Sequence, residues 1–173
     1  MSVGKLTTPT GESTFVKLDT PDTTFGAPGS YTATMKLSKD GQEEVESMLA
    51  PAIKKALKQF GGGIKVEDIK LPTFINKEGE FCITGRLKAS GKRQDTGEEF
   101  ENRVKIIDSV EDALPHDTMI GKGSKLKFVG DLVAYDFTSN GKRNIGISFR
   151  LKKVQVMKLI EVRTAAPGSP VNF

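Results

Sequence analysis

The sequence predicts a mainly β protein, a small closed barrel carrying one long α-helix. Three observations predict it. Several segments alternate apolar and polar residues with period two, the pattern of half-buried strands. One stretch, residues 40–60, has helical spacing instead. Turn-forming residues separate the alternating segments; the strongest is Asn140-Gly141, a pair favoured in two-residue hairpins.

Taken in order, residues 13–18 can form a short strand. Residues 19–30, with Pro21, Gly26, Pro28 and Gly29, read as a loop. Residues 31–37 alternate cleanly, with Tyr31, Ala33, Met35 and Leu37 on one face and Thr32, Thr34 and Lys36 on the other. In the helix, Asp40 is the expected cap and Glu43 completes a capping-box pattern. Val45, Met48, Leu49, Ala52, Ile53, Ala56, Leu57 and Phe60 form its apolar face. Lys54, Lys55 and Lys58 suit the negative end of the helix dipole, Pro51 implies a kink, and Gly61-Gly62-Gly63 stops the helix.

Strands dominate thereafter. Residues 80–89 place Phe81, Ile83 and Leu87 inward and Arg86 and Lys88 outward. Residues 90–97 read as a polar hairpin loop. Residues 98–107 read as the next strand, with Phe100, Val104 and Ile106 alternating with Arg103 and Lys105. Residues 108–123 form an acidic connection. Residues 125–137 carry Leu126, Phe128 and Leu132 on one face. After the turn at 138–142, residues 143–160 form a long strand, with Ile145, Ile147, Phe149 and Leu151 inward and Arg150 and Lys152 outward. Lys152-Lys153 breaks the alternation, which predicts a bulge. Residues 164–173, with Pro167, Gly168 and Pro170, read as a flexible tail on a single domain of residues 1–163.

Five principal strands counted from Tyr31, with one helix, suit the OB-fold, the common five-stranded barrel. One departure is visible. The usual OB helix lies between the third and fourth strands, whereas here a long helix is inserted after the first barrel strand.

Composition narrows the function. Hydrophobic residues make up 36% and charged residues 28% of the 173-residue chain, with a mean hydropathy of −0.32, enough apolar material for a core. No apolar run approaches the roughly 18 residues of a membrane span. Residues 1–10 lack the pattern of a secretory signal, and the single Cys82 excludes an internal disulfide and suits a reducing compartment. With one Cys and one His, His116, a chain cannot assemble the roughly four ligands of a Cys/His zinc site. His116 sits in a turn-like stretch, a poor setting for a catalytic triad. The carboxylates Glu98, Glu99, Glu101, Asp108, Glu111, Asp112 and Asp117 have no recognisable metal-site spacing. Gly121-Lys122-Gly123-Ser124-Lys125 is glycine-rich but enters a strand, whereas a phosphate-cradling loop opens a helix. No catalytic residue, metal or cofactor is predicted, and the chain is not expected to be an enzyme.

The net charge of +4 is mild, but its distribution is uneven. Residues 95–117 hold eight acids and two bases; residues 122–163 hold ten bases and three acids. Basic residues recur two apart on strands: Arg86 with Lys88, Arg103 with Lys105, Lys125 with Lys127, Arg150 with Lys152. That spacing puts each pair on one face. Such rows could track phosphates, or they could be the ordinary charged surface of a β protein. Lys142 and Arg143 add two cations beside the hairpin turn. Tyr135 and Phe137 share the face opposite to Leu126, Phe128 and Leu132, where rings could stack on bases; the alternative is that they close the barrel end. Phe15, Phe25 and Phe74 are looser candidates.

At residues 121–127, continuing through Leu132-Val133-Ala134-Tyr135-Asp136-Phe137, the chain resembles the podovirus-type bacteriophage single-stranded DNA-binding proteins. Phe25-Gly26-Ala27-Pro28 followed by Tyr31 and the Lys39-Asp40 helix start, and residues 104–108, match in the same order. The resemblance implies an OB-fold, cooperative coating and annealing of single-stranded DNA in the cytoplasm of an infected bacterium, and stacking by Tyr135 and Phe137. It also implies contacts with phage DNA polymerase and helicase-primase, a homodimer, and partner binding through a terminal aromatic, here Phe173. Members of that family carry a long acidic tail; residues 164–173 contain no Asp or Glu. The competing expectation is an OB-fold protein that binds replication proteins with little affinity for DNA.

Overall fold

The computed structural model describes residues 2–23, 29–92, 95–115 and 118–160. Its strands are β1 (Ser2–Thr7), β2 (Gly11–Asp22), β3 (Ser30–Leu37), β4 (Thr73–Ile75), β5 (Phe81–Lys88), β6 (Ser90–Lys92), β7 (Glu99–Glu101), β8 (Lys105–Ile107), β9 (Lys125–Ser139) and β10 (Lys142–Lys158). The long helix α1 (Lys39–Phe60) follows β3, and a short 3-10 turn covers Val66–Asp68.

Five strands close into a ring in the order β9-β2-β3-β5-β10 and back to β9. Every pairing in the ring is antiparallel except β5 with β10, which is parallel and limited to Arg86 opposite Arg150. This is the OB arrangement. Three other segments complete the seam where β5 and β10 diverge. Lys70 brackets Gly146, its N–H donating to the Ile145 carbonyl (3.1 Å) and its carbonyl accepting from the Ile147 N–H (2.8 Å). β4 pairs with β5, and β8 runs parallel to β10 at Lys153–Gln155. β1 extends the sheet along β9.

The alternation read from the sequence sets the inner surface. Tyr31, Ala33, Met35 and Leu37 are buried opposite Leu87, Gly85, Ile83 and Phe81. Leu126, Phe128 and Leu132 meet Ile147, Phe149 and Leu151 in the core, with the Phe128 and Phe149 rings 6.4 Å apart. α1 buries Val45, Leu49, Ala52, Ala56 and Phe60. The helix is unbroken through Pro51, which faces solvent. The predicted bulge falls between Leu151 and Lys153.

Several details differ from the sequence reading; residues 19–22 and 90–92, read as loop, belong to β2 and β6. Ser38, not Asp40, caps α1, its hydroxyl accepting from the Gly41 N–H at 3.2 Å; Asp40 sits in the first turn, where the dipole still favours it. Residues 98–107 are not one strand. β7 pairs with β6 in a separate two-stranded sheet, and β8 joins β10. The ring therefore takes its remaining strand from β2, and α1 follows the second ring strand. The tail 164–173, His116 and residues 25–28 lie outside the described residues. Among the described residues no helix is long and apolar enough to cross a membrane.

Candidate nucleic-acid interface

On the face away from Ala33 and Met35, register sets the neighbours on β3 and β5, and Thr32 and Thr34 there are themselves buried. Ser30, Thr32 and Thr34 lie opposite Lys88, Arg86 and Thr84. The Thr34 and Thr84 hydroxyls share a hydrogen bond of 2.8 Å. Strands two and three of an OB ring, with the hairpin between strands four and five, form the surface on which this fold usually takes oligonucleotides. Here those are β3, β5 and the β9–β10 turn at Asn140-Gly141, whose positive φ values of 53° and 74° suit that pair.

Arg150 extends this surface across the seam. It is the register partner of Arg86, so the two guanidinium side chains rise from the same face on adjacent strands. Among the described residues neither is in an ion pair, although Asp131, which bonds Lys152, lies opposite Arg150 on β9. Like charges directly opposite destabilise a sheet, and an anion laid over them would relieve the repulsion.

A groove of about 420 Å³ opens on the Arg86 side of the seam, lined by Leu71, Pro72, Phe74, Thr84, Tyr135 and Ser148, with Ile147 and Phe149 beneath. Tyr135 is half-buried and its ring packs against Phe137 at 5.9 Å, tilted by 35°. Gly146, opposite Tyr135 in the hairpin register, makes room for that ring; a Cβ there would overlap the phenol. Partial burial raises the Tyr135 pKa, so the phenol stays a neutral donor. Phe137 is 54% exposed, Phe74 46% and Phe15 48%. Rings that large have little folding reason to face water, and they offer π-faces for bases.

On the other side of the seam a groove of about 700 Å³ is lined by Lys88, Arg103, Arg150 and Lys152 among others. Arg103 is held in place by the Tyr31 ring, 5.6 Å from its guanidinium carbon, and by a hydrogen bond to the Asp19 carbonyl at 3.3 Å. Lys152 reaches Asp131 at 3.0 Å.

The remaining predicted cations line neither groove. Lys125 stands at the far end of β9, bonded to Glu12 at 3.2 Å in a network that includes Lys36 and Glu80, 2.8 Å apart. Their shared hydrogen bond raises the Lys36 pKa and lowers that of Glu80. Lys127 is opposite Gln155, and Lys105 opposite Lys153 on the β8 edge. Arg143 grips Asp136 through two bonds of 2.9 and 2.7 Å and donates to the Phe60 carbonyl at 3.2 Å, closing the end of α1. That hydrogen bond raises the Arg143 pKa and lowers that of Asp136. Lys142 is exposed in the turn. Phe173 lies outside the described residues. The sequence reading missed the contribution of Leu71 and Pro72; both sit in a connector whose docking onto β10 no local pattern announces. Among the described residues no three His, Cys, Asp or Glu side chains gather as a metal site.

No protein-family model and no curated protein matches this sequence. Solved structures do match. The crystal structure of gp2.5, a single-stranded DNA binding protein encoded by bacteriophage T7, aligns with a TM-score of 0.70 at 22% identity, covering 97% of this chain and 98% of that one. The single-stranded DNA-binding protein from bacteriophage Enc34 in complex with ssDNA aligns with a TM-score of 0.61 at 14% identity, covering 95% of each chain. Its C-terminal truncation gives 0.62 at 15% identity, covering 92% of this chain and 88% of that one. The fold is thus shared with phage single-stranded DNA-binding proteins over nearly the whole chain.

Proposed function

We propose that the protein binds single-stranded DNA without sequence specificity, laying the strand over the outer face of β3, β5 and β10, and that it serves phage DNA replication and recombination. The observation that carries this reading is the Arg86–Arg150 pair, in no ion pair among the described residues, beside the Tyr135, Phe137 and Phe74 rings. Cations hold the phosphates and rings stack on the bases, a combination that tolerates every sequence. The neighbours gp2.5 and the Enc34 protein, whose names state single-stranded DNA binding, support it. The chain does no catalysis on this reading. It works in the cytoplasm of the infected host beside phage DNA polymerase and helicase-primase, and coats strands as a monomer or homodimer. Residues 164–173 and Phe173 are the segment assigned to partner contacts.

Titration of labelled oligo(dT), an RNA of equal length and duplex DNA tests it. Tight binding to single strands over duplex is expected. No binding to oligo(dT) at low salt would leave the competing reading, a barrel that contacts replication proteins and not DNA.

A further inference from the structure

Phe100 is an aromatic residue without a core. The period-two pattern places it inside with Val104 and Ile106, yet those two are buried and Phe100 is half-exposed on the small β6–β7 sheet. Its position is nonetheless fixed. Phe100 is the register partner of Gly91, and its ring covers that glycine; a Cβ on Gly91 would stand 2.8 Å from Cζ of the ring. The Lys88 ammonium converges on the same point, 3.4 Å from it. Asn102 ties the hairpin to the end of β5, its side-chain amide donating to the Lys88 carbonyl at 2.9 Å and its N–H to the Ala89 carbonyl at 2.8 Å.

We infer that the groove between the β6–β7 hairpin and the barrel is a second subsite for the same single strand, with Phe100 as its base platform and Lys88, Arg103 and Arg150 as its phosphate contacts. The inference rests on the single-strand reading above and lengthens its footprint. The groove has the parts that such a subsite needs: a ring, cations, and an apolar floor of Leu87 and Leu151. Its volume of about 700 Å³ exceeds the 420 Å³ of the Tyr135 groove. Arg150 lines this groove while its partner Arg86 lines the other, so the two grooves meet at the seam and one strand can pass from Tyr135 to Phe100 over the arginine pair. Glu98 and Glu99 stand on the rim, with no ion pair to a cation among the described residues. They weaken the attraction for phosphate and set a ceiling on affinity that their removal should lift.

Binding of the wild type, Phe100→Ala, Phe100→Leu and Glu98→Gln/Glu99→Gln to oligo(dT) of increasing length decides the matter. The wild type should gain affinity with length until both grooves are filled. Phe100→Ala should level off at a shorter length and bind long oligonucleotides about 5- to 150-fold more weakly, with an unchanged salt slope. Phe100→Leu, which keeps apolar packing and loses the ring, should behave the same way, which separates stacking from folding. The double Gln variant should bind long oligonucleotides more tightly. Phe100 variants with wild-type length dependence, or with equal losses at every length, would overturn the second subsite while leaving the Tyr135 groove intact. A wild type that binds no oligonucleotide would overturn the single-strand reading itself.

Discussion

Arg86 and Arg150 face each other across the one parallel pairing of the barrel ring, and among the described residues neither forms an ion pair with a carboxylate. Other cations of this chain are treated differently. Lys125 has Glu12, Lys152 has Asp131 and Arg143 has Asp136. On the proposed reading the arginine pair is a phosphate clamp. Arg86→Ala and Arg150→Ala should each weaken oligo(dT) binding and flatten the slope of log K against log salt by about 0.7 for each phosphate left unneutralised. Free of DNA, Arg86→Ala should be as stable as the wild type or more so, by up to about 1 kcal/mol, since a like-charge contact is removed, whereas Arg150→Ala also loses its attraction to Asp131 opposite. Thermal melts and salt titrations on the same samples check both halves.

Tyr135→Ala and Phe137→Ala should each cost about 1–3 kcal/mol of binding with little change in salt slope, because stacking is largely uncharged. Both rings lie outside the core, so melting temperatures should move far less than for a buried Phe→Ala, which costs about 3–5 kcal/mol. Lost stability with intact affinity would make these rings structural.

Gly146→Ala tests how Tyr135 is held. The new methyl would overlap the phenol and stand 2.7 Å from the Lys70 carbonyl. Overpacking of this kind costs about 1–3 kcal/mol, and the displaced ring should lower single-strand affinity to the level of Tyr135→Ala. Combining Gly146→Ala with Tyr135→Ala should add little further loss of binding. Additive losses would mean that the glycine acts on DNA by another route.

Arg143→Ala should lower the melting temperature by freeing the Phe60 carbonyl and the Asp136 carboxylate, while leaving the salt slope close to wild type. The Asp136 pKa is lowered by Arg143, so the stability from this pair is present above the unfolded carboxylate pKa and is lost as pH falls through the depressed folded value. Melts at neutral and acidic pH should therefore differ less for Arg143→Ala than for the wild type. A large fall in salt slope would return Arg143 to the DNA surface.

Much of this barrel was legible because the long strands bury a period-two face, although β3 buries Thr32 and Thr34 on its other face as well. Residues 31–37 and the inward Leu126, Phe128 and Leu132 could be read from period two alone, and that parity also turned Tyr135 and Phe137 outward. β2 was seen only in part. A register shift between Ser13 and Phe15 switches parity, so Ser13 is buried and Phe15 exposed, and the alternation disappears. Phe100 kept the parity of Val104 and Ile106 but belongs to another sheet, because alternation reports a face and not a pairing partner. Outward cations were legible too. Their neutralisation was not, since Glu12 and Asp131 reach Lys125 and Lys152 from other strands. Asp136 and Arg143 are brought together by the two-residue turn that fixes the hairpin register, yet the sequence reading places Arg143 among the free cations.

On the proposed reading, single-strand binding depends above all on the Arg86–Arg150 pair. A polarisation titration of labelled oligo(dT) across a salt series, with wild type and the Arg86→Ala/Arg150→Ala double variant, addresses it most directly. Wild-type binding should show a slope of about −3 to −4, as for roughly four to six phosphates, and the double variant a slope shallower by about 1.4. No wild-type binding at low salt, or a double variant with the wild-type affinity and slope, would contradict it.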